Sequence, residues 1–176
     1  MAVSSFQSHD LIVVSDALDI AEDATTNFYK FSSSQWKRNQ YEVKTLNSLK
    51  DDEISRHAFA LLNKGTRIGD GFESRTKSRD FYFICLQDHQ IIKALRRDSE
   101  LRLLSLLVYI LTHELIHIVR FCNFFRRFDV SDKERDSEEK IVHAMTYEIL
   151  ENVSIPDLKY VLDLYKDHRI CDMVVC

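Results

Sequence analysis

The sequence predicts a mostly helical α+β domain, and three observations carry that prediction. Only three glycines and one proline occur in 176 residues, too few for the many tight turns of an all-β chain. Apolar residues recur at helical spacing through several long stretches. Among them lies one short run, Asp80-Phe81-Tyr82-Phe83-Ile84-Cys85-Leu86, whose aromatic and β-branched content marks a strand.

Residues 1–10 read as a tail. From Leu11 to Phe31 the positions Val14, Leu18, Ala21, Ala24, Phe28 and Phe31 keep a helical stripe, with Asp10 as its N-cap. Ser32-Ser33-Ser34 breaks it. A second helix is expected from Gln35 to about Leu49. A third is expected from Asp51 to Asn63 on the stripe Ile54, Ala58, Leu61 and Leu62. All three glycines then fall between Gly65 and Gly71, where Gly69-Asp70-Gly71 signals a turn. That loop, with Ile68 and Phe72, should pair with the Phe81–Leu86 strand in a small antiparallel sheet. The segment His89–Leu95 fits a short helix or a strand.

Arg96-Arg97-Asp98 is a polar break, and Ser99 can cap a long helix reaching Phe121 or Phe125. Leu103, Leu106, Leu107, Ile110, His113, His117 and Arg120 lie near one side of it. Asp129–Ser137 reads as a charged loop. A further helix starts near Asp136 and runs to about Asn152, Pro156 ends it, and a shorter helix covers Leu158–Tyr165. The whole is expected to be one domain, 1–176, with a helical part over 1–63, a core over 64–152 and a C-terminal helix and tail over 153–176.

Apolar residues make up 45% of the chain and charged residues 30%, the composition of a soluble globular protein. A net charge of −4 gives no electrostatic footprint for nucleic acid or an anionic membrane, so neither is expected as a partner. The four cysteines form no C-x-x-C pair, and no signal peptide opens the sequence. The longest apolar run, Leu103–Leu111, is short for a bilayer. A cytoplasmic protein with free thiols is the simplest expectation, with a Cys171–Cys176 bridge left open.

The chemistry is concentrated in His113-Glu114-Leu115-Ile116-His117. Residues four apart share a helix face, so the two imidazoles can aim at one point, and Glu114 can reach a water held there. Two neutral histidines and a carboxylate base are most of a catalytic zinc site, which takes a third protein ligand and keeps one open position. The third ligand is sought in Asp136-Ser137-Glu138-Glu139-Lys140-Ile141-Val142-His143, on a helix that could return across the first. Glu139 is the first candidate and Glu138 the second. Glu139 also stands three residues after Asp136, the spacing of a capping box, and a cap is its ordinary alternative.

With these residues in view, the chain resembles the gluzincin metallopeptidases, in which H-E-x-x-H is followed by a glutamate ligand on a later helix. The local likeness is to the ImmA/IrrE-type branch, over about residues 100–152. It implies a zincin-like domain in which an active-site helix and a return helix hold zinc through His113, His117 and Glu139. His143 stands where the resemblance would place Asn or Asp. It could orient a zinc-binding histidine, ligate the metal, or donate to the transition state; Tyr147 and Tyr109 are further candidates for stabilising an oxyanion.

The expected function is a zinc-dependent metallopeptidase acting on peptide or protein substrates, with Glu114 as general base. The Phe81–Leu86 strand, if it edged the cleft, could align an extended peptide. A non-catalytic metal-binding or partner-binding domain is the alternative. A di-iron bundle is less apt, since Glu114-x-x-His117 has no second Glu-x-x-His to match it. His9, His57, His89 and His168 have no partner at ligand spacing, and Arg126-Arg127 reads as a solvated helix end.

Overall fold

A computed structural model describes residues 4–38, 40–67, 79–123 and 131–166. Among them are six helices and three strands, an α+β architecture dominated by helix. Helix α1 spans Ser8–Tyr29 and opens with a reciprocal box in which the Gln7 backbone N–H donates to the Asp10 carboxylate at 2.8 Å. Its buried face is Val14, Ala17, Ala21 and Thr25. Alanines at the contact let α1 lie close against the central helix, α4 (Leu103–Asn123).

The stretch from Gln35 to Asn63, expected as two helices, is mostly something else. Helix α2 covers only Ser33–Arg38; strand β1 follows over Gln40–Lys44, then two single 3-10 turns, then strand β2 over Ala60–Arg67. Local alternation explains β1: Tyr41 and Val43 are partly buried while Gln40 and Glu42 face solvent. In β2 both faces are covered. Ala60 and Leu62 join the main core, and Leu61 packs with Ala58 and Cys85 on the far side of the sheet. A short run apolar on both faces has no strand signature in its periodicity.

Strand β3, Arg79–Leu86, is the middle of the sheet. It pairs with β1 in parallel, Gln40 opposite Phe81, and with β2 antiparallel, Ala60 opposite Leu86. The sheet is therefore mixed, not purely antiparallel. Both edges of β3 are occupied, so the Phe81–Leu86 strand cannot itself take up an extended peptide; among the described residues β1 and β2 are the outer strands. The expected pairing through Ile68 and Phe72 lies outside the described residues.

Helix α3, Asp88–Arg97, resolves the ambiguous segment as helix. Its first residue, Asp88, is buried and accepts from the backbone N–H groups of Phe6 at 2.9 Å and Leu46 at 3.1 Å, pinning two loops to the sheet end. Helix α4 begins at Leu103 rather than Ser99 and is enclosed nearly all round by α1, α5, α6, β2 and β3. It is long and apolar enough to cross a membrane, but 89% of its apolar window is buried inside the fold, the position of a core helix.

Helix α5 runs Asp132–Leu150, four residues earlier than expected. Ser131 caps it: the Ser131 backbone N–H donates to Glu134 at 3.0 Å and its hydroxyl at 2.7 Å. Most of the expected charged loop is thus the first two turns of a helix. Helix α6, Leu158–Tyr165, follows Pro156 and packs on α4 and α5.

Candidate metal centre

Helices α4 and α5 run antiparallel, and their facing residues descend in step: Tyr109 meets His143, His113 and His117 meet Glu139, and Arg120 meets Glu138. His113 and His117 stand four apart, Arg120 three further on, so one stripe of α4 supplies this whole face. His113, Glu114 and His117 are fully buried and Glu139 is 8% exposed.

The central group is tight. His113 Nε2 lies 3.2 Å from Glu139 Oε2, His117 Nε2 lies 3.0 Å from Glu139 Oε1, and the two Nε2 atoms are 3.2 Å apart. Each imidazole can donate one Nε2–H to a Glu139 oxygen, which leaves the two Nε2–H groups facing each other across 3.2 Å. Burial pulls His117 down, but its hydrogen bond to Glu139 and the charges of Glu139, Glu114 and Glu138 outweigh it and raise the imidazole above its ordinary value. Burial would likewise raise the Glu139 carboxyl, yet the hydrogen bonds from His113 and His117 hold it well below the usual carboxylate range.

A divalent cation in place of the two facing protons would draw on both nitrogens and the carboxylate. Nitrogen and oxygen ligands around a tetrahedral zinc ion stand about 3.3–3.6 Å apart, close to the separations of this triad, and the donor types are those of catalytic zinc sites. The residues present fit the ion. His113 and Glu139 also form a looser group with His143, whose candidate ligand atoms all lie within 4.8 Å of one another. The His117 triad is the tighter of the two.

His143 sits at the rim. Its Nδ1 is 2.9 Å from the Tyr109 hydroxyl, and its Nε2 lies 3.9 Å from Glu139 Oε2 with no hydrogen-bond partner among the described residues. Burial, with the neighbouring His113, pushes its pKa down to about 4, so it is neutral at pH 7. Where Tyr109 donates to Nδ1, the proton of His143 is left on Nε2, facing the carboxylate.

Glu114 is the least satisfied group. Both of its carboxylate oxygens are buried with no hydrogen-bond partner among the described residues, as are Thr112 Oγ1 and the Nδ1 atoms of His113 and His117. Zinc-binding histidines ordinarily donate their second N–H to a carbonyl or carboxylate, and no such acceptor meets these Nδ1 atoms among the described residues.

Glu138 faces Arg120, whose Nε donates to one of its oxygens and whose Nη2 donates to the other at 3.0 Å. The carboxylate that meets the imidazoles is Glu139, and the helix cap is Ser131 with Glu134. Tyr147, one turn beyond His143, is turned toward the C-terminal side, its ring 5.9 Å beneath the Lys166 ammonium. Of the remaining histidines, His89 Nε2 contacts the Ser55 carbonyl at 2.9 Å, His9 pairs with Asp10 and His57 is exposed. Arg126-Arg127, His168, Cys171 and Cys176 lie outside the described residues. The Arg120–Glu138 pair was legible only as an arginine in register with the histidines, a signal with no stated partner.

Comparison with protein families, curated proteins and solved structures finds no significant match.

Proposed function

We propose that this chain is a zinc-dependent hydrolase, a metallopeptidase, with His113, His117 and Glu139 as ligands and Glu114 as general base. One observation carries the reading: two imidazole nitrogens from α4 and a carboxylate from α5, 22 residues beyond His117 in sequence, converge within 3.0–3.2 Å in a buried setting. When bound there, zinc supplies a Lewis acid that polarises a carbonyl and acidifies a water.

The chain's own residues supply the rest. Glu114, adjacent to His113 and without a hydrogen-bond partner among the described residues, would take a proton from water and return it to the leaving amine. His143, neutral and held by Tyr109, has its Nε2 available to donate to an oxyanion. Tyr147 is a weaker candidate for that role, since its ring faces away.

Peptide cleavage by the zinc-loaded protein tests the reading, measured on a mixed peptide library by mass spectrometry. Glu114→Gln should keep its zinc and lose at least about 100-fold in rate, the size of a general-base contribution. Cleavage undiminished in that variant would contradict the assignment.

A second reading is favoured by the complete burial of His113, Glu114 and His117: a metal held for structure, with no substrate turned over. Cobalt substitution separates the two. An open fourth position lets a hydroxamate alter the cobalt spectrum, and a closed one does not.

A further inference from the structure

Glu138 and Glu139 are successive residues on α5 and point about 100° apart, yet both reach α4. The observed rotational setting and register of the two helices bring Glu139 to the imidazoles and Glu138 to Arg120 together. The guanidinium of Arg120 grips Glu138 through two nitrogens on two oxygens, a fork that fixes direction as well as distance. Its third nitrogen, Nη1, lies 3.7 Å from Met145 Sδ, and that sulfur accepts from the Tyr29 hydroxyl of α1 at 3.3 Å. The fork is therefore backed by a third helix.

We propose that the Arg120–Glu138 pair is a positioning clamp that sets the Glu139 carboxylate against His113 and His117, an inference that rests on the metal-centre reading above. Slippage of α5 by one residue would move Glu139 by about 1.5 Å, beyond the roughly 0.5 Å that a ligand constellation tolerates. Stability alone does not account for the pair, since a buried ion pair adds little net stability over apolar residues of similar volume. Its place at one end of the ladder, with Tyr109–His143 at the other, does. Arg120 is thus a positioning residue that acts through Glu138 on its neighbour.

The test is the full chain carrying Arg120→Met together with Glu138→Met. The metal-free variant should unfold at or above the wild-type midpoint, while zinc affinity, read by chelator competition, falls 10–100-fold. The visible bands of the cobalt-substituted variant should shift as the ligand field distorts. Glu138→Gln, which keeps volume and one arm of the fork, should fall in between. Zinc affinity within threefold of wild type, with an unchanged cobalt spectrum, overturns the clamp. If wild type binds no zinc, the metal reading fails on its own, and a crystal structure of the metal-free double variant judges the clamp. Glu139 displaced from the imidazoles supports it; Glu139 still at 3.0–3.2 Å from both overturns it. Should the double variant not fold, Glu138→Gln alone decides, on the same readings.

Discussion

At the scale of single residues, the centre is a set of titratable groups held unusually close together. His113, His117 and Glu139 share one small volume, and His143 stands beside them with no hydrogen-bond partner for its Nε2 among the described residues. Acid should act first on His143. A histidine whose folded value is depressed keeps its contribution above the ordinary value of about 6.5 and loses it as pH falls toward the folded value. For His143 that folded value is about 4. Metal-free wild type should therefore lose roughly 1–2 kcal/mol more than His143→Gln between pH 6.5 and 4.5, after allowance for partial solvent screening. Urea midpoints at the two pH values measure it, and parallel pH dependences would remove His143 as a buried neutral group. The depressed Glu139 acts in the same direction but at lower pH, since its stabilisation holds above the carboxylate range and fades only in stronger acid.

At the scale of elements, α5 decides what Glu139 is for. Read from the sequence, Glu139 stood equally well as a ligand or as a cap, because Asp136 offered a plausible helix start. The helix instead starts at Asp132 behind Ser131, which places Glu139 in its third turn, clear of the N-terminus. Ser131→Ala should therefore cost about 1 kcal/mol, whereas Glu139→Gln leaves the helix start intact; helix-start amide exchange in the two variants distinguishes them. The His113–His117 spacing and the long apolar α4 were readable because helical periodicity is a local property. Strands β1 and β2 were not, for different reasons. The alternation in β1 spans only five residues, and Ala60-Leu61-Leu62 is apolar on both faces, so its burial is decided by α4 beneath and Ala58 with Cys85 above. Partners distant in sequence settled what the local pattern left ambiguous. The same holds for Glu138: its choice between metal and Arg120 depends on helix register, which no local motif encodes.

At the scale of the whole molecule, the centre sits on the most enclosed element. Helix α4 is surrounded by α1, α5, α6 and the sheet, so the imidazoles inherit the rigidity of the core. Such enclosure makes charge there costly unless it is matched, and three acidic side chains, Glu114, Glu138 and Glu139, are buried in the neighbourhood. Arg120 answers Glu138, and a divalent cation would answer the remainder. Metal content per folded chain is therefore the deciding measurement, determined by elemental analysis after zinc loading and removal of excess. One zinc ion should remain with the wild-type chain, and His113→Ala, His117→Ala and Glu139→Ala should each retain little while still folded. A folded wild-type chain that holds no zinc, or a Glu139→Ala variant that holds it as firmly as wild type, would contradict the account.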